Sequence, residues 1–203
     1  ESESIWMGHE RKRGKLEDFN RLLLGGDDAF SLKIGDLSCL NSYRFVITLD
    51  SDTQLPRDTA RMLAATLAHP LNQPVIDPAT MTVREGYAIL QPRIAVSVDS
   101  ACRSRLARFF SGQTGFDPYT TAVSDVYQDL YGQASFTGKG IYDLRAFDAV
   151  AGGRFPDNTL LSHDLLEGEY ARTGLVTDLE FIDDYPTRYQ ALSKRKHRWV
   201  RGD

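Results

Sequence analysis

An apolar run that stops at two acidic residues constrains the fold of this chain more than any other feature of its sequence. Residues 43–49 (YRFVITL) are rich in aromatic and β-branched side chains and carry a single charge, which predicts a buried strand. Asp50 and Asp52 follow this strand at once, and a helix is predicted at residues 57–68. The chain must therefore hold two carboxylates at the place where a buried strand ends.

The rest of the chain alternates between helical and extended patterns of apolar residues. The elements that these patterns predict are a helix within residues 10–26, a strand over 87–98 with an interruption at Pro92, a helix over 100–110, an irregular stretch over 112–140, a helix capped by Ser162 and ending near Gly174, a strand over 175–182 and a helix over 187–199. Alternating strands and helices indicate the α/β class, with a mostly parallel central sheet flanked by helices. The sequence contains no repeats or linker-like tracts, so residues 1–203 are expected to form a single domain.

The composition argues against several classes of function. The net charge of −4 over 203 residues gives no reason to expect binding to nucleic acid or to an anionic membrane. Cys39 and Cys102 lie far apart and outside any paired motif, which argues against a structural zinc site or a disulfide framework. No apolar run reaches the roughly 18 residues that a membrane-spanning helix needs. The chain also begins without a methionine, and we expect it to be a soluble piece of a longer protein.

The Asp50-x-Asp52 pair is the strongest candidate for chemistry. In open α/β sheets, ligands bind outside the carboxyl ends of the strands. Two carboxylates at such an edge can hold a hard divalent cation, which in turn binds diphosphate oxygens. The alternative is a solvated turn, because Asp and Ser are common in turns.

Ser162, His163 and Asp164 contain the residue types of a nucleophilic triad. Neighbours in sequence do not face one another on a helix, so a triad is not expected. Asp164 near a helix N-terminus is also explained by the helix dipole alone. Glu167 is most simply a solvent-facing residue of the same helix.

Arg198 and Trp199 lie in the basic C-terminal segment, where Lys and Arg are crowded. An arginine stacks well on an indole ring and can bind a phosphate through two hydrogen bonds. The alternative is a solvated basic helix end.

Taken in order, these segments resemble the motifs of processive β-glycosyltransferases of the cellulose synthase kind, and in particular the glycosyltransferase region of cyclic β-1,2-glucan synthases. The matching segments span nearly the whole chain and are Lys12-Arg13-Gly14-Lys15-Leu16, Asp50-Ser51-Asp52, Gln91-Pro92, Phe136-Thr137-Gly138, Ser162-His163-Asp164 and Arg198-Trp199. An ordered series of motifs is far less expected by chance than any one of them.

This resemblance implies a GT-A-like nucleotide-sugar fold and an inverting reaction in which glucose passes from UDP-glucose to a β-glucan acceptor. The residue roles that it implies are Mg²⁺ or Mn²⁺ binding by Asp52 with Asp50 beside it, proton removal from the acceptor by Asp164 as general base, contact near the donor nucleotide by Lys12, and contact with the acceptor channel and the diphosphate by Arg198 and Trp199. Two positions depart from the family pattern, since His163 stands where Glu is usual and Arg195 where Gln is usual.

The resemblance also implies partners outside this chain. The first strands of the fold, with the aspartates that bind uridine, would precede residue 1. The remaining domains and the transmembrane helices of a parent chain would hold this piece at the cytoplasmic face of the inner membrane. We therefore predict that the isolated chain binds UDP-glucose weakly or not at all and is inactive.

Two alternatives from other classes remain open at this point. A haloacid-dehalogenase-like phosphohydrolase would use Asp50 as its nucleophile and would draw on Asp183 and Asp184 after a later strand. Position 54 is Gln, where that family has Thr or Val, and the C-terminal Arg198 and Trp199 would have no role. A non-catalytic scaffold fragment is the second alternative.

Overall fold

The computed structural model describes residues 8–27, 29–111, 126–160 and 162–202. Its helices are α1 (Arg11–Leu23), α2 (Thr59–Ala68), α3 (Val98–Cys102), α4 (Arg105–Phe110), α5 (Val126–Tyr131), α6 (Leu144–Ala151), α7 (Asp164–Ala171) and α8 (Tyr189–Gly202). Its strands are β1 (Phe45–Thr48), β2 (Thr53–Gln54), β3 (Val75–Asp77), β4 (Thr82–Glu85), β5 (Ile89–Val96), β6 (Gly140–Asp143) and β7 (Thr173–Asp183).

The main sheet is mixed, and the prediction of a mostly parallel sheet was wrong. Its five strands lie in the order β1-β6-β5-β7-β2, with β3 and β4 forming a separate pair. Among the neighbouring strands of the main sheet, only β5 and β7 are parallel. The reason is β6, which the sequence analysis did not predict as a strand. It lies between β1 and β5 and runs antiparallel to both.

Strand direction nevertheless brings the carboxyl ends of three strands to one edge. Because β1 and β5 are both antiparallel to β6, they point the same way, and β7 is parallel to β5. The loop before β6 approaches this same edge, because β6 runs in the reverse direction. Asp50 follows β1, Lys139 precedes β6 and Asp183 ends β7, so the topology gathers these three residues.

Apolar side chains pack on both faces of this sheet, as the predicted flanking helices require. Ile89 pairs with Tyr142 and Leu90 pairs with Ile141 across β5 and β6. Successive residues of a strand point to opposite faces. The first pair joins a core with α6, and the second pair joins a core with Leu63 and other residues of α2.

Several predicted elements differ from the structure in extent. The helix over 100–110 is two short helices, because Ser97 and Ser104 each cap a separate start with a side-chain oxygen. Residues 112–125 of the stretch predicted to be irregular lie outside the described residues, while residues 126–131 form α5. The strand over 87–98 is not broken at Pro92; a register shift against β7 after Pro92 accommodates the proline, which has no N–H to donate.

The segment that carries Asp164 also differs from its prediction. Ser162 does not cap the helix, because α7 begins at Asp164 with His163 in the capping position and no side-chain cap. The helix ends at Ala171, and Gly174 lies inside β7. A single residue, Arg172, therefore joins α7 to β7, and its φ of 49° makes the turn.

The same turn is fastened by the side chain of Arg172. Its guanidinium donates hydrogen bonds to the carbonyl oxygens of Gly132 and Arg84 and lies over the ring of Tyr87. These contacts hold the C-terminal end of α7 against β4, against the loop before β5 and against the residue that follows α5.

A search of the described residues for helices found none with the length and apolar character needed to cross a membrane.

Candidate active site

Two lysines hold the first aspartate of the predicted pair. Lys12 of α1 places its Nζ 2.7 Å from Asp50 Oδ1 and 2.8 Å from the carbonyl oxygen of Gly138, to which it donates a second hydrogen bond. Lys139 approaches from the other side, with its Nζ 3.5 Å from Asp50 Oδ2. Both carboxylate oxygens of Asp50 therefore face an ammonium group.

The pKa of Asp50 reflects this double pairing. Partial burial acts to raise the pKa of the carboxyl group, but the hydrogen bond from Lys12 and the charges of Lys12 and Lys139 more than offset it. The pKa is held below its ordinary value, so Asp50 stays ionised and keeps the two lysines in place.

Lys139 also forms a buried ion pair with Asp183. The side chains of Lys139 and Asp183 are only 9% and 6% exposed, and Lys139 Nζ donates a short hydrogen bond to Asp183 Oδ2. The other oxygen of Asp183 accepts a hydrogen bond of 2.6 Å from Thr53 Oγ1. One buried lysine thus ties the end of β7 to the loop after β1.

Gly138 brings the carboxylate of Asp164 to the same place. It has a φ of 80°, and a Cβ atom built on it would lie 2.7 Å from Asp164 Oδ1. Because the carbonyl oxygen of Gly138 also accepts from Lys12, Asp164 and Asp50 flank one loop. The structure therefore brings together Asp50, Lys12 and Asp164, which the sequence analysis had selected separately.

His163 and Glu167 complete the first turn of α7. His163 Nδ1 lies 2.9 Å from Glu167 Oε1 and 3.6 Å from Asp164 Oδ1. The interpretation of Glu167 as solvent-facing was wrong, because its side chain is 9% exposed. The one-turn spacing of His163 and Glu167 was the available signal, since residues four apart share a helix face.

The basic C-terminal helix reaches this site through Arg195 and not through Arg198. Arg195 donates a 3.2 Å hydrogen bond to the carbonyl oxygen of Asp184, places Nη2 3.8 Å from Asp183 Oδ2 and stacks on the ring of Trp199. Arg198 is exposed, and Trp199 is 52% exposed. Both remain predicted acceptor-side residues at the rim.

Asp52 lies on the surface beside this cluster. It is exposed, whereas Asp50 two residues earlier is half-buried. The groups of three or more His, Cys, Asp and Glu side chains that come close enough to share a metal ion include neither residue, within the ranges that the structure describes. Any cation at Asp52 would take its other ligands from a bound substrate or from water.

The sequence analysis gave three buried polar residues, Lys139, Asp183 and Gln91, no role in this site. Lys139 stood in a Gly-Lys-Gly segment that is too short for a phosphate loop, and Asp183 was weighed only for the phosphohydrolase. Gln91, fully buried on β5, accepts hydrogen bonds from the backbone N–H and the hydroxyl of Thr137 and so positions the loop that carries Gly138. The sequence did contain a signal for all three, namely a polar residue at or near the end of a strand.

Replacing Gly138 by Ala is expected to displace Asp164 and destabilise the chain. The new methyl group meets a carboxylate, and a non-glycine residue at positive φ adds strain of about 1–2 kcal/mol. Gly153→Ala is the matched control, because Gly153 has a φ of 63° with no atom within 4 Å of the added methyl group. Urea unfolding should show a larger loss for Gly138→Ala; equal losses would mean that the Asp164 contact is absent.

The whole chain is similar to one region of a known protein. The chain is 50% identical over 204 aligned residues to a region of the "Cyclic beta-(1,2)-glucan synthase NdvB" of Rhizobium meliloti (strain 1021). The alignment covers 100% of this chain and 7% of that synthase. No family model matches the chain. The resemblance predicted from the ordered motifs is confirmed.

Proposed function

We propose, from the correspondence of this whole chain to a segment of a cyclic β-(1,2)-glucan synthase, that it is the catalytic, acceptor-side part of an inverting glycosyltransferase domain. The donor is UDP-glucose and the acceptor is a growing β-glucan. The aligned region is 7% of that synthase, which is consistent with further domains in a longer protein. Membrane-spanning helices of that protein and a place at the cytoplasmic face of the membrane are part of the same proposal. The isolated chain is expected to bind UDP-glucose weakly or not at all and to be inactive.

One observation carries this proposal: two carboxylates in different surroundings flank the Gly138 loop at the carboxyl edge of the sheet. Asp50 is engaged by Lys12 and Lys139. Asp164 lies on the other side of the loop, against Gly138 and beside His163. Separate surroundings for two carboxylates support separate roles in one reaction.

The reaction needs one base and charge stabilisation on the leaving group. Asp164 takes the proton of the acceptor hydroxyl as that oxygen bonds to the anomeric carbon. The bond from this carbon to the diphosphate breaks, and the electron pair leaves with UDP. Lys12, whose side chain is 36% exposed, supplies positive charge on the donor side, and the buried Lys139 helps to position Asp50 beside it. A single direct displacement inverts the α-linked donor to a β-linked product.

A divalent cation fits the donor side of this site. Asp52 offers exposed oxygen ligands of the hard type that Mg²⁺ and Mn²⁺ prefer, and Mg²⁺ often uses only one or two protein carboxylates together with substrate phosphates. Asp52 would be the main ligand, because both oxygens of Asp50 already face lysines. The ion would neutralise charge on the leaving diphosphate.

A GT-A-like fold is part of the same proposal. It is supported by a mixed sheet with helices on both faces and by an Asp-x-Asp pair directly after a strand that ends at the ligand-binding edge. The homology to a glucan synthase favours this transferase over the phosphohydrolase alternative.

The test is transfer of labelled glucose from UDP-glucose by membranes that carry the full-length protein. We expect EDTA to abolish glucose transfer and added Mn²⁺ or Mg²⁺ to restore it. In the Asp52→Asn variant, the added ions should not restore transfer. Asp58→Asn is the control, because Asp58 is also exposed and lies six residues later, and this substitution removes the same charge. Transfer that is indifferent to EDTA would contradict the metal role, and phosphate release without transfer would favour the phosphohydrolase.

A further inference from the structure

The first turn of α7 contains an ion pair that the reaction above does not use. His163 and Glu167 have side chains only 13% and 9% exposed, and their closest atoms are 2.9 Å apart. Burying charges is costly unless they are paired. An ion pair between neighbouring turns of one helix can contribute to stability alone. Whether the His163–Glu167 pair also has a functional role therefore depends on its contact with Asp164.

The geometry of His163 Nδ1 is not that of a simple structural pair. Nδ1 is buried and has no well-aligned hydrogen bond, although Glu167 Oε1 lies within ion-pair distance. The same atom is 3.6 Å from Asp164 Oδ1. His163 Nδ1 therefore lies close to two carboxylates, the buried one of Glu167 and the one of Asp164 that borders the Gly138 loop.

His163 and Glu167 are largely shielded from solvent, whereas the side chain of Asp164 is 29% exposed. His163, Asp164 and Glu167 border one small cavity beneath α1, whose remaining wall is largely apolar. The titratable groups that line this cavity are Arg13 and Glu17 of α1, Tyr142 of β6, and His163, Asp164 and Glu167 of α7.

We propose that His163 and Glu167 form a positioning pair for Asp164, in which Glu167 holds the imidazolium of His163 and His163 holds the Asp164 carboxylate ionised and oriented toward the acceptor. This inference rests on the proposed function, because it assigns the pair to the base of that reaction. It also accounts for the departure of His163 from the family pattern, since the carboxylate missing beside the base is supplied from one turn later.

The charge state of His163 agrees with this role. Burial acts to lower the pKa of the imidazole, but the carboxylates of Glu167 and Asp164 more than offset it, while Arg13 opposes them. The pKa of His163 is raised overall, so the imidazolium persists to higher pH than in an ordinary histidine. Burial raises the pKa of Glu167, while the hydrogen bond and the charge of His163 act against that rise and favour the anion.

The experiment measures kcat and KM for glucose transfer against pH, in membranes that carry the full-length protein. His163→Gln should lower kcat about tenfold, which is less than the 10²–10⁴-fold expected for loss of a general base. This variant should also lack the decline of kcat at high pH that deprotonation of His163 causes. Glu167→Gln should move that decline to lower pH, because only the charge of Asp164 then opposes the effect of burial, which lowers the pKa of His163. KM for UDP-glucose should not change in either variant.

Two further variants keep the inference testable if a single replacement disturbs folding. The double variant His163→Gln with Glu167→Gln should match His163→Gln alone, because residues that act through one another are not additive. Glu169→Gln is the control, since Glu169 is an exposed acid of the same helix, and it should behave like the wild type. Unchanged pH profiles in all variants, with transfer intact, would overturn the positioning role, whereas absence of transfer in the wild type would overturn the proposed function itself.

Discussion

Replacing Asp164 by Asn should lower glucose transfer by roughly 10²–10⁴-fold while UDP-glucose binding is retained. Asn keeps the size of the side chain but cannot take the proton of the acceptor hydroxyl. The donor side of the site, where Lys12 and Lys139 hold Asp50, does not depend on this carboxylate. The measurement is label transfer by membranes that carry the full-length protein, together with UDP-glucose binding to the same membranes.

The control for this variant is Asp99→Asn. Asp99 also lies in the first turn of a helix, so its replacement removes a comparable favourable interaction with a helix dipole. It is exposed and outside the site, and its replacement should leave transfer unchanged. Unchanged transfer in Asp164→Asn would place the base elsewhere. Loss of both transfer and UDP-glucose binding would mean that the variant disturbs the fold.

Replacing Lys139 by Met should lower the free energy of unfolding by about 3 kcal/mol, near the low end of the range for breaking a buried ion pair. The variant leaves Asp183 buried with only the hydroxyl of Thr53 and the more distant Arg195 to compensate its charge. Urea unfolding of the chain measures the loss. Lys194→Met, which removes an exposed lysine from α8, should change the free energy by no more than about 0.5 kcal/mol.

A second replacement separates loss of charge pairing from loss of packing. Adding Asp183→Leu to Lys139→Met removes the uncompensated carboxylate, so much of the lost stability should return. A double variant less stable than Lys139→Met alone would mean that Asp183 contributes mainly through its hydrogen bond with Thr53. Loss of glucose transfer in both variants is expected, because each one lacks Lys139, the second of the two lysines that engage Asp50.

The sequence predicted the local elements better than their arrangement. The run before Asp50 and the helix that ends before Pro70 were recognisable because burial and capping leave periodic and terminal signals in adjacent residues. The direction of the strands was not, because β6 is four residues long and its pairing with β1 joins segments almost a hundred residues apart. An unrecognised strand between two others was sufficient to turn an expected parallel sheet into a mixed one.

Individual site residues could be predicted where a residue of the right chemical type lay beside a predicted element or within a recognisable motif. Asp50 was selected because it follows an apolar strand, and Asp164 was selected because its segment resembles a motif of the family. Lys139 and Glu167 were missed because a lysine between glycines and a glutamate on a helix are most often solvated. Lys139 can be buried because it pairs with Asp183, and Glu167 can be buried because it pairs with His163. These pairings are known only from the structure, so the sequence alone did not indicate a functional role for Lys139 or Glu167.

The one-residue junction at Arg172 bears on how a growing polymer could move. Arg172 fastens the end of α7 by hydrogen bonds to the carbonyl oxygens of Arg84 on β4 and of Gly132 after α5. The helix that carries Asp164 is thus fixed at the start of β7, and we expect it not to move with a bound substrate. If a chain of sugars is extended at Asp164, each advance must come from the polymer sliding past a stationary base, with the motion generated outside α7.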